Sequence, residues 1–507
     1  MSLIYVILLP LAGGILAALI APRSRFLAHG VMLLSLAAMG VVVAIDLGTH
    51  AEAMAAAGAS AGALHYLVEV SATWIPSLGI SFHLGADGLS FVLLGLTVVL
   101  GLIALVSSWR SSYENEGFYL LNIGLVLAGV AGVFTAADLI LFFLFWELMI
   151  VPMYFLISAW GGTGRERAAM KFFLFTQASG LLMLLSMIGL YLAHGSATGT
   201  YTFDLVSLSG WTAGGAAPAL ILFLGFVTAF GVKLAVVPAH AWAPDAYAEA
   251  PTAGSILLSG LLLKSGAYGL LRFSITLFPE EARRIAPVML VLGVVTILYG
   301  GILAIRQNDV KRIIAYSSIG HMGYLTLGVF SWTTLGYTGA IVMILSHGFT
   351  TSALFFVAGA MQDRLSTRDI REMGGLRKAA PRLAGLGTAF LIFALALPGT
   401  GNFLAEFLVI AGVFQMNVPI AVLAVAGSIL SVVYALRAIH LMFDGARTDT
   451  APVEELRRHE SIALAALALL VLWIGLIPGP IIKATAPAAA SHLQSVLPAA
   501  GQGGGNG

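Results

Sequence analysis

Residues 138–159 read DLILFFLFWELMIVPMYFLISA, and this stretch decides how the chain folds. It is long enough to cross a hydrocarbon core of roughly 30 Å as one α-helix, with every backbone polar group bonded inside the helix. One charged side chain, Glu147, lies at its middle with apolar neighbours on both sides. A carboxylate at mid-membrane is costly, so such a residue is usually functional or paired. The stretch therefore predicts a membrane span that carries chemistry, and a neutral, hydrogen-bonded structural glutamic acid is the alternative.

The remainder of the chain has the same character. Hydrophobic residues make up 59% of its 507 positions, charged residues only 10%, and the mean hydropathy is +0.97. A soluble domain has about a quarter of its residues charged. We therefore predict an all-α integral membrane protein with about 14 transmembrane helices. They are placed at residues 3–20, 29–47, 88–108, 118–135, 138–159, 168–193, 217–246, 251–273, 286–305, 310–330, 334–360, 383–412, 418–442 and 461–479.

Charge and cysteine usage exclude several functions. The net charge is +1, and no basic run is dense enough to follow a phosphate backbone, so no nucleic-acid partner is expected. The chain contains no cysteine, which rules out disulfides, iron–sulfur clusters and thiolate metal sites within it. Any redox chemistry must therefore take place in a partner.

The basic residues indicate the orientation. Most of the 25 Lys and Arg residues fall in alternate loops, as expected if no span has been missed or invented. The rule places both termini outside the cytoplasm. The loop from His240 to Glu249 does not fit well, because it is acidic although the count puts it inside.

Two predicted spans are unusually long and interrupted by Pro or Gly, which is typical of discontinuous helices. The seventh breaks around Val237-Pro238 and the twelfth at 397–401. They lie five spans apart in opposite directions, which predicts two inverted five-helix repeats. The predicted units are 1–110 (helices 1–3 and an extracytoplasmic loop), 111–275 (first repeat), 280–445 (second repeat) and 446–507 (helix 14 and a disordered tail).

Three segments lie outside the spans, and two of them, the loop 48–87 and the Gly-rich tail, carry no visible chemistry. The loop 48–87 has no Lys or Arg, the segment 362–382 is predicted to be a cytoplasmic linker along the membrane surface, and the Gly-rich tail begins at Gly501.

Three further charged residues inside predicted spans stand out as candidates for proton transfer. Lys233 precedes the first break, where a buried lysine can gain and lose a proton; snorkelling to the interface is its alternative. Lys264 lies mid-span among small residues and suits a second proton station, or a lysine fixed by backbone carbonyls. Glu406 follows the second break and suits a terminal proton carrier, or a structural partner of Arg437.

Histidines suit proton relay because their unperturbed pKa is about 6.5. His321 and His347 lie within predicted spans among hydroxyl-bearing neighbours, and for each a structural role is equally compatible. His240 lies beyond the first break, where it either caps a helix or marks proton uptake. Arg437 and His440 fit side chains that snorkel.

Four motifs resemble the antiporter-like subunits of proton-pumping NADH:quinone oxidoreductase, and the resemblance covers residues 85–480. The superfamily also contains multi-subunit Na+/H+ antiporters and membrane-bound hydrogenases. The chain is most similar to the M-type branch, because Glu406 stands where L- and N-type relatives typically have lysine. The motifs are FWELMIVPMY at 145–154, the run from 233 to 246 with HAWAPDA at 240–246, APTAGS at 250–255 with LKSG at 263–266, and KRIIAYSSIGHMGY at 311–324.

This resemblance implies a redox-coupled proton translocator without a cofactor of its own. NADH, FMN, iron–sulfur clusters and quinone are expected in partner subunits, and L- and N-type neighbours and lipids are the expected partners. Protons are the substrate, and a bacterial plasma membrane is the expected location. The alternatives are a subunit of a Na+/H+ antiporter or membrane-bound hydrogenase, and a non-pumping structural subunit. The implied site residues are a Glu147–Lys233 pair, then Lys264 with His321 and His347, and finally Glu406.

Overall fold

A computed structural model describes residues 1–57, 66–109, 111, 113–211, 216–444 and 452–494. Arg110, Arg447 and the tail from Gly501, which the sequence analysis placed in loops or in a disordered end, lie outside the described residues. Within the described ranges, twelve helices are long and apolar enough to cross a membrane, and three shorter apolar helices accompany them. The prediction of a polytopic α-helical membrane protein is confirmed, while the count of fourteen spans stays a prediction.

A β-hairpin separates the second and third helices. The prediction of a loop over residues 48–87 is therefore wrong. The second helix continues to Ala57, and the hairpin occupies most of the residues between there and position 87. The elements are α1 (Ser2–Ile20), α2 (Arg25–Ala57), β1 (Val68–Ile75), β2 (Ile80–Ala86) and α3 (Gly88–Ser108).

The following helices fall into two successive groups and a C-terminal pair. The first group is α4 (Glu116–Val133), α5 (Leu139–Trp160), α6 (Arg165–Thr198), α7 (Leu205–Leu208), α8 (Ala216–Lys233), α9 (Ala243–Glu249) and α10 (Thr252–Leu277). The second is α11 (Pro279–Arg306), α12 (Val310–Phe330), α13 (Thr334–Leu365), α14 (Leu376–Ala379), α15 (Pro381–Ala394), α16 (Gly401–Phe414) and α17 (Val418–Asp444). The pair is α18 (Arg458–Leu476) and α19 (Gly479–Gln494).

The seventh predicted span is interrupted, as expected, between α8 and α9. The helix ends at Lys233, and Ala235 has a left-handed backbone with φ of 58°. The backbone groups freed by the break find side-chain partners, as buried groups in a membrane must. Trp242 Nε1 donates to the carbonyl of Val232 at 2.8 Å, and the Val237 amide donates to Thr296 Oγ1 at 3.1 Å.

The twelfth predicted span is broken in the same way between α15 and α16. Ala396, two residues after the end of α15, is left-handed with φ of 56°, which matches Ala235 two residues after the end of α8. Thr400 caps the second half by accepting a hydrogen bond from the Phe403 amide. Both predicted discontinuous helices are therefore present.

A second correspondence joins the two groups. Asp138 caps α5 by accepting from the amides two and three residues ahead, and Asp309 caps α12 in the same way. Each aspartate also forms an isolated antiparallel bridge, Asp138 to Asp204 and Asp309 to Asp369. The two groups therefore have caps, bridges and breaks at corresponding positions, and the five-helix repeat stays a prediction.

The acidic segment 240–249 lies among basic side chains from three other elements. Asp245 pairs with Lys171 of α6 at 2.8 Å and with Arg312 of α12 at 2.9 Å. Arg368 forms one ion pair with Glu249, at 3.1 Å, and another with Asp309, at 3.0 Å. We call this the basic end of the bundle. Residues 240–249, whose acidic character does not fit the positive-inside rule, thus lie at the same end as the basic loops. Their negative charges are neutralised there by these ion pairs.

The opposite end carries β1 and β2, and we call it the hairpin end. Asp138, which begins α5 there, accepts hydrogen bonds from the amide and hydroxyl of Ser81 in β2. Helix α19 also lies at this end, where Gly88 approaches the carbonyl of Ala484 so closely that a Cβ atom would not fit. Helix α19 differs from the sequence-based expectation, which placed a disordered tail after helix 14.

A buried histidine fastens the hairpin to the chain before α7. His83 of β2 contacts Asp204 through Nδ1 and Glu69 of β1 through Nε2, the latter at 2.7 Å. Carboxylates accept hydrogen bonds, so an imidazole that bonds to two of them donates from both nitrogens and is charged. Burial disfavours that charge, but the hydrogen bond and negative charge of Asp204, with those of Glu69, outweigh it and raise the pKa of His83.

We predict that the hairpin becomes less stable as the pH rises through this elevated pKa. Because the pKa of His83 is higher in the folded state, its stabilisation is complete below the unfolded value of 6.5 and is lost above the folded value. Losing one charge-assisted hydrogen bond costs about 1.5 kcal/mol, or roughly tenfold lower protection of the hairpin amides against hydrogen exchange, after correction for intrinsic rates. The control His83→Gln should show no such step. Equal pH profiles for the two proteins above pH 5 would contradict the prediction.

Candidate proton-transfer site

Glu147 lies in the middle of α5, as the sequence predicts, and is half-buried. Its carboxylate faces Gly180 of α6, where no side chain intervenes. Atom Oε1 is buried and has no hydrogen-bond partner among the described residues.

Lys233 is completely buried at the end of α8. Its Nζ atom has no hydrogen-bond partner among the described residues and instead lies over two aromatic rings, 5.0 Å from the Trp146 centroid and 5.6 Å from that of Phe172. Such contacts stabilise a cation by about 1–2 kcal/mol when water is absent. The position is too deep for snorkelling.

The implied Glu147–Lys233 pair is only partly formed. The two charges are close enough to interact electrostatically, but no direct ion pair joins these two described side chains. Trp146, next to Glu147 in sequence, packs against the lysine instead. The structure places the two charges on neighbouring helices, and their functional pairing stays a prediction.

Lys264 is completely buried and makes two short hydrogen bonds. Its Nζ atom donates to the carbonyl of Ser259 at 2.7 Å and lies 2.7 Å from Nδ1 of His347 on α13. Ser259 belongs to a π-helical turn, Leu258–Leu262, where the helix is widened and a carbonyl can be reached by a side chain. The backbone contact that was the structural alternative for Lys264 therefore coexists with a direct contact to a titratable ring.

The two predicted histidines are adjacent. The ring centroids of His321 on α12 and His347 on α13 are 5.2 Å apart, and both side chains are buried. His321 Nδ1 bonds to the carbonyl of Ser317 at 2.8 Å, so this nitrogen carries a proton. Its other nitrogen, Nε2, lies 3.3 Å from Oε1 of Glu406.

Glu406 on α16 is 3% exposed and contacts His321 and Ser428. Its suggested structural partner, Arg437, bonds instead to the carbonyl of Gln307 and to Asn308 Oδ1, just before α12. That alternative is wrong. Lys264, His347, His321 and Glu406 therefore form one buried series, in which the His347 and His321 rings lie side by side without a direct hydrogen bond.

Several buried polar atoms along this series have no hydrogen-bond partner among the described residues. Burying such an atom unpaired costs about 1–3 kcal/mol, so this region has the polarity needed to hold ordered water. The atoms are Ser318 Oγ, His321 Nε2, His347 Nε2, Ser352 Oγ and Glu406 Oε1.

His240 does not join the series. Its ring packs against Tyr299 with centroids 4.7 Å apart, and the helix that follows, α9, has no side-chain cap. The capping alternative for His240 is therefore wrong. His440 is exposed at the end of α17. Among the described residues no group of three His, Cys, Asp or Glu side chains is placed to hold a metal ion.

Sequence reasoning missed Asn402, the second residue of α16. Its side chain accepts a hydrogen bond from Ser346 and donates to Thr350 Oγ1 at 3.1 Å and to the Phe393 carbonyl at 2.9 Å. It thereby joins both halves of the broken helix to α13, which carries His347. Its position one residue after a Gly-Thr-Gly break was the available signal.

We predict that Asn402→Ala lowers the thermal unfolding midpoint of the detergent-solubilised protein. The change leaves buried partners unpaired, at a cost of about 1–3 kcal/mol. Thr388→Val is the matched control, because it removes a buried hydroxyl that has no partner among the described residues. If both variants unfold at the wild-type temperature, Asn402 does not hold the break together.

Two broken helices beside a buried series of titratable side chains define an antiporter-like membrane protein. The chain belongs to the family described as NADH:quinone oxidoreductase/Mrp antiporter, TM, whose model matches residues 136–431. It is similar to NADH-quinone oxidoreductase subunit M of Pseudomonas aeruginosa, with 41% identity covering 96% of each chain. The Escherichia coli K12 subunit M is 40% identical over 97% of this chain and 98% of its own length.

Solved structures share the fold over nearly the whole chain. A chain of respiratory complex I from Thermus thermophilus superposes with a TM-score of 0.86 at 29% identity, covering 98% of this chain and 100% of that one. A chain of the Mrp complex from Dietzia superposes with a TM-score of 0.80, covering 98% and 99%, but at 23% identity it shows the fold alone.

Proposed function

We propose that this chain is a proton-translocating membrane subunit of an NADH:quinone oxidoreductase. The observation that carries the proposal is the buried series from Lys264 through His347 and His321 to Glu406. Near-complete similarity to subunit M relatives supports the assignment to that assembly. Scaffolding alone gives no reason to bear the cost of these charges inside an apolar bundle.

The contacts allow each side chain of the buried series to take up and release a proton, without fixing the direction of proton transfer. When Lys264 is protonated it donates to Nδ1 of His347, and a neutral His347 then carries its own proton on Nε2, on the side away from the lysine. His321 Nδ1 already carries a proton, so its Nε2 and Glu406 Oε1 share one more. Either the imidazole is doubly protonated and the carboxylate charged, or the ring is neutral and the acid holds the proton. A change in the local electric field determines which of these two protonation states has the lower free energy.

The charges of Glu147 and Lys233 produce that electric field. A charged Glu147 stabilises a protonated Lys233, and weakening their interaction favours release of the lysine proton towards Lys264. Because the two charges are separated by a gap, a small movement of α5 changes their interaction without breaking a hydrogen bond. Quinone reduction in partner subunits drives the cycle through such electrostatic changes.

The positive-inside rule assigns the basic end to the cytoplasm and both termini to the outside. The membrane is a bacterial plasma membrane, and L- and N-type subunits and lipids cover the apolar outer faces. NADH, FMN, iron–sulfur clusters and quinone reside in other subunits. The repeat units remain those proposed from the sequence, 111–275 and 280–445.

The alternative function is a subunit of a Na+/H+ antiporter or a membrane-bound hydrogenase. The shared fold of the Mrp chain is compatible with it. Glu406 disfavours the antiporter, because the corresponding antiporter position typically holds lysine. Sodium-dependent proton transport in vesicles would favour the alternative.

We predict that Glu147→Gln abolishes proton pumping and slows coupled electron transfer in membrane vesicles, while Glu147→Asp retains activity. Glutamine keeps the size and hydrogen-bonding capacity of the side chain but cannot be charged, whereas aspartate keeps the charge. The measurement is proton uptake or release against electron-transfer rate, with assembly of the complex verified for each variant. Normal pumping by an assembled Glu147→Gln complex would exclude the proposed role of this carboxylate.

A further inference from the structure

We propose that Ser428 and Tyr324 form a hydroxyl relay that takes the proton from Glu406 and leads it towards the hairpin end. The inference rests on the proposed function and extends it by one step. Neither Ser428 nor Tyr324 is among the predicted site residues.

The two oxygens of the Glu406 carboxylate face different partners. Oε1 lies 3.3 Å from His321 Nε2, on the side of the buried series. Oε2 accepts a hydrogen bond from Ser428 Oγ of α17 at 2.9 Å. Ser428 Oγ in turn lies 2.9 Å from the hydroxyl of Tyr324, which donates to the carbonyl of Ala424 at 2.8 Å. One carboxylate thus joins an imidazole on one side to two consecutive hydroxyls on the other.

The relay has a direction relative to the bundle. Helix α12 begins at the basic end, and Tyr324 lies about one turn beyond His321 along it. Ala424 lies about one turn before Ser428 on α17, whose first residues are at the opposite end from Gln307 and Asn308, the partners of Arg437. Both helices therefore carry the hydroxyls from Glu406 towards the hairpin end, away from Lys171 and Arg312.

The proton balance of the step closes with one water molecule as the final acceptor. His321 gives the proton on Nε2 to Oε1, and the imidazole becomes neutral while the carboxylate becomes a carboxylic acid. After rotation of the acid group, its proton passes to Ser428 Oγ as Ser428 passes its own hydrogen to the Tyr324 oxygen. Tyr324 passes its hydrogen to a water molecule on the Ala424 side, and Glu406 is again a carboxylate. Only hydrogen bonds, one N–H bond and O–H bonds change, and no electrons are transferred.

A second hydroxyl pair of the same composition provides a matched control. Ser431 and Tyr434 lie three and six residues further along α17, and Tyr434 bonds to Ser317 at 2.6 Å and to Ser431 at 3.3 Å. These hydroxyls lie on the basic side of Glu406 and form no hydrogen bond with its carboxylate. Removing them tests the effect of losing a buried hydroxyl in the same helix without interrupting the relay.

The experiment compares protons translocated per electron in vesicles containing the assembled complex, for Ser428→Ala, Tyr324→Phe, Ser428→Thr, Ser431→Ala, Tyr434→Phe and Glu406→Gln. We expect Ser428→Ala and Tyr324→Phe to lower the ratio towards that of Glu406→Gln, and Ser428→Thr, which keeps a hydroxyl, to restore it. The two control variants should keep the wild-type ratio. The solvent deuterium isotope effect on turnover should change in Ser428→Ala and not in Ser431→Ala, because only the former removes a hydroxyl that carries the proton.

The outcomes separate the relay from the proposed function. Wild-type ratios for Ser428→Ala and Tyr324→Phe, with pumping lost in Glu406→Gln, overturn the relay and leave the function in place. Equal losses in the relay and control variants also overturn it, since they show a general cost of removing hydroxyls from α17. Normal pumping by Glu406→Gln overturns the proposed function as well. If Ser428→Ala does not assemble, Tyr324→Phe and Ser428→Thr carry the test.

Discussion

The cost of placing charge inside an apolar bundle is the constraint on which the rest of this structure depends. Lys233 and Lys264 are completely buried, and Glu406 is nearly so. Each is stabilised in a different way: Lys233 by aromatic faces, Lys264 by a carbonyl and an imidazole, and Glu406 by an imidazole and a hydroxyl. None has a permanent, fully bonded counter-ion among the described residues. Such charges are sensitive to their neighbours, which is what a proton carrier requires.

The backbone supplies these partners by departing from regular helix. The π-helical turn in α10 presents the Ser259 carbonyl to Lys264, and the breaks after α8 and α15 place Lys233 and Glu406 beside irregular backbone. Each departure is satisfied locally, by Trp242 and Thr296 at the first break and by Asn402 at the second. Irregular backbone is tolerated at this depth only where protein or water bonds it.

The two helix groups, α4–α10 and α11–α17, share caps, bridges and breaks but not their charges. Counting from the capping aspartates, Glu147 corresponds to Ser318, and counting from the left-handed alanines, Lys233 corresponds to Ala394. The first group therefore carries a separated charge pair and Lys264, whereas the second carries histidines and a single carboxylate.

The sequence by itself determined the membrane fold, the position of most helices, both breaks and the six charged or titratable positions, because each is a local property of hydropathy, proline and glycine placement, or buried charge. It did not determine which of those residues touch. That Glu147 and Lys233 stay apart, that His321 rather than Arg437 meets Glu406, and that Asn402 and Ser428 join the site are matters of helix packing. The β-hairpin and α19 were missed because short strands and a helix at the bundle end leave no hydropathy signal of membrane length. Only the tertiary structure brings the side chains of α10, α12, α13 and α16 into one buried series, with Lys264 hydrogen-bonded to His347 and Glu406 3.3 Å from His321.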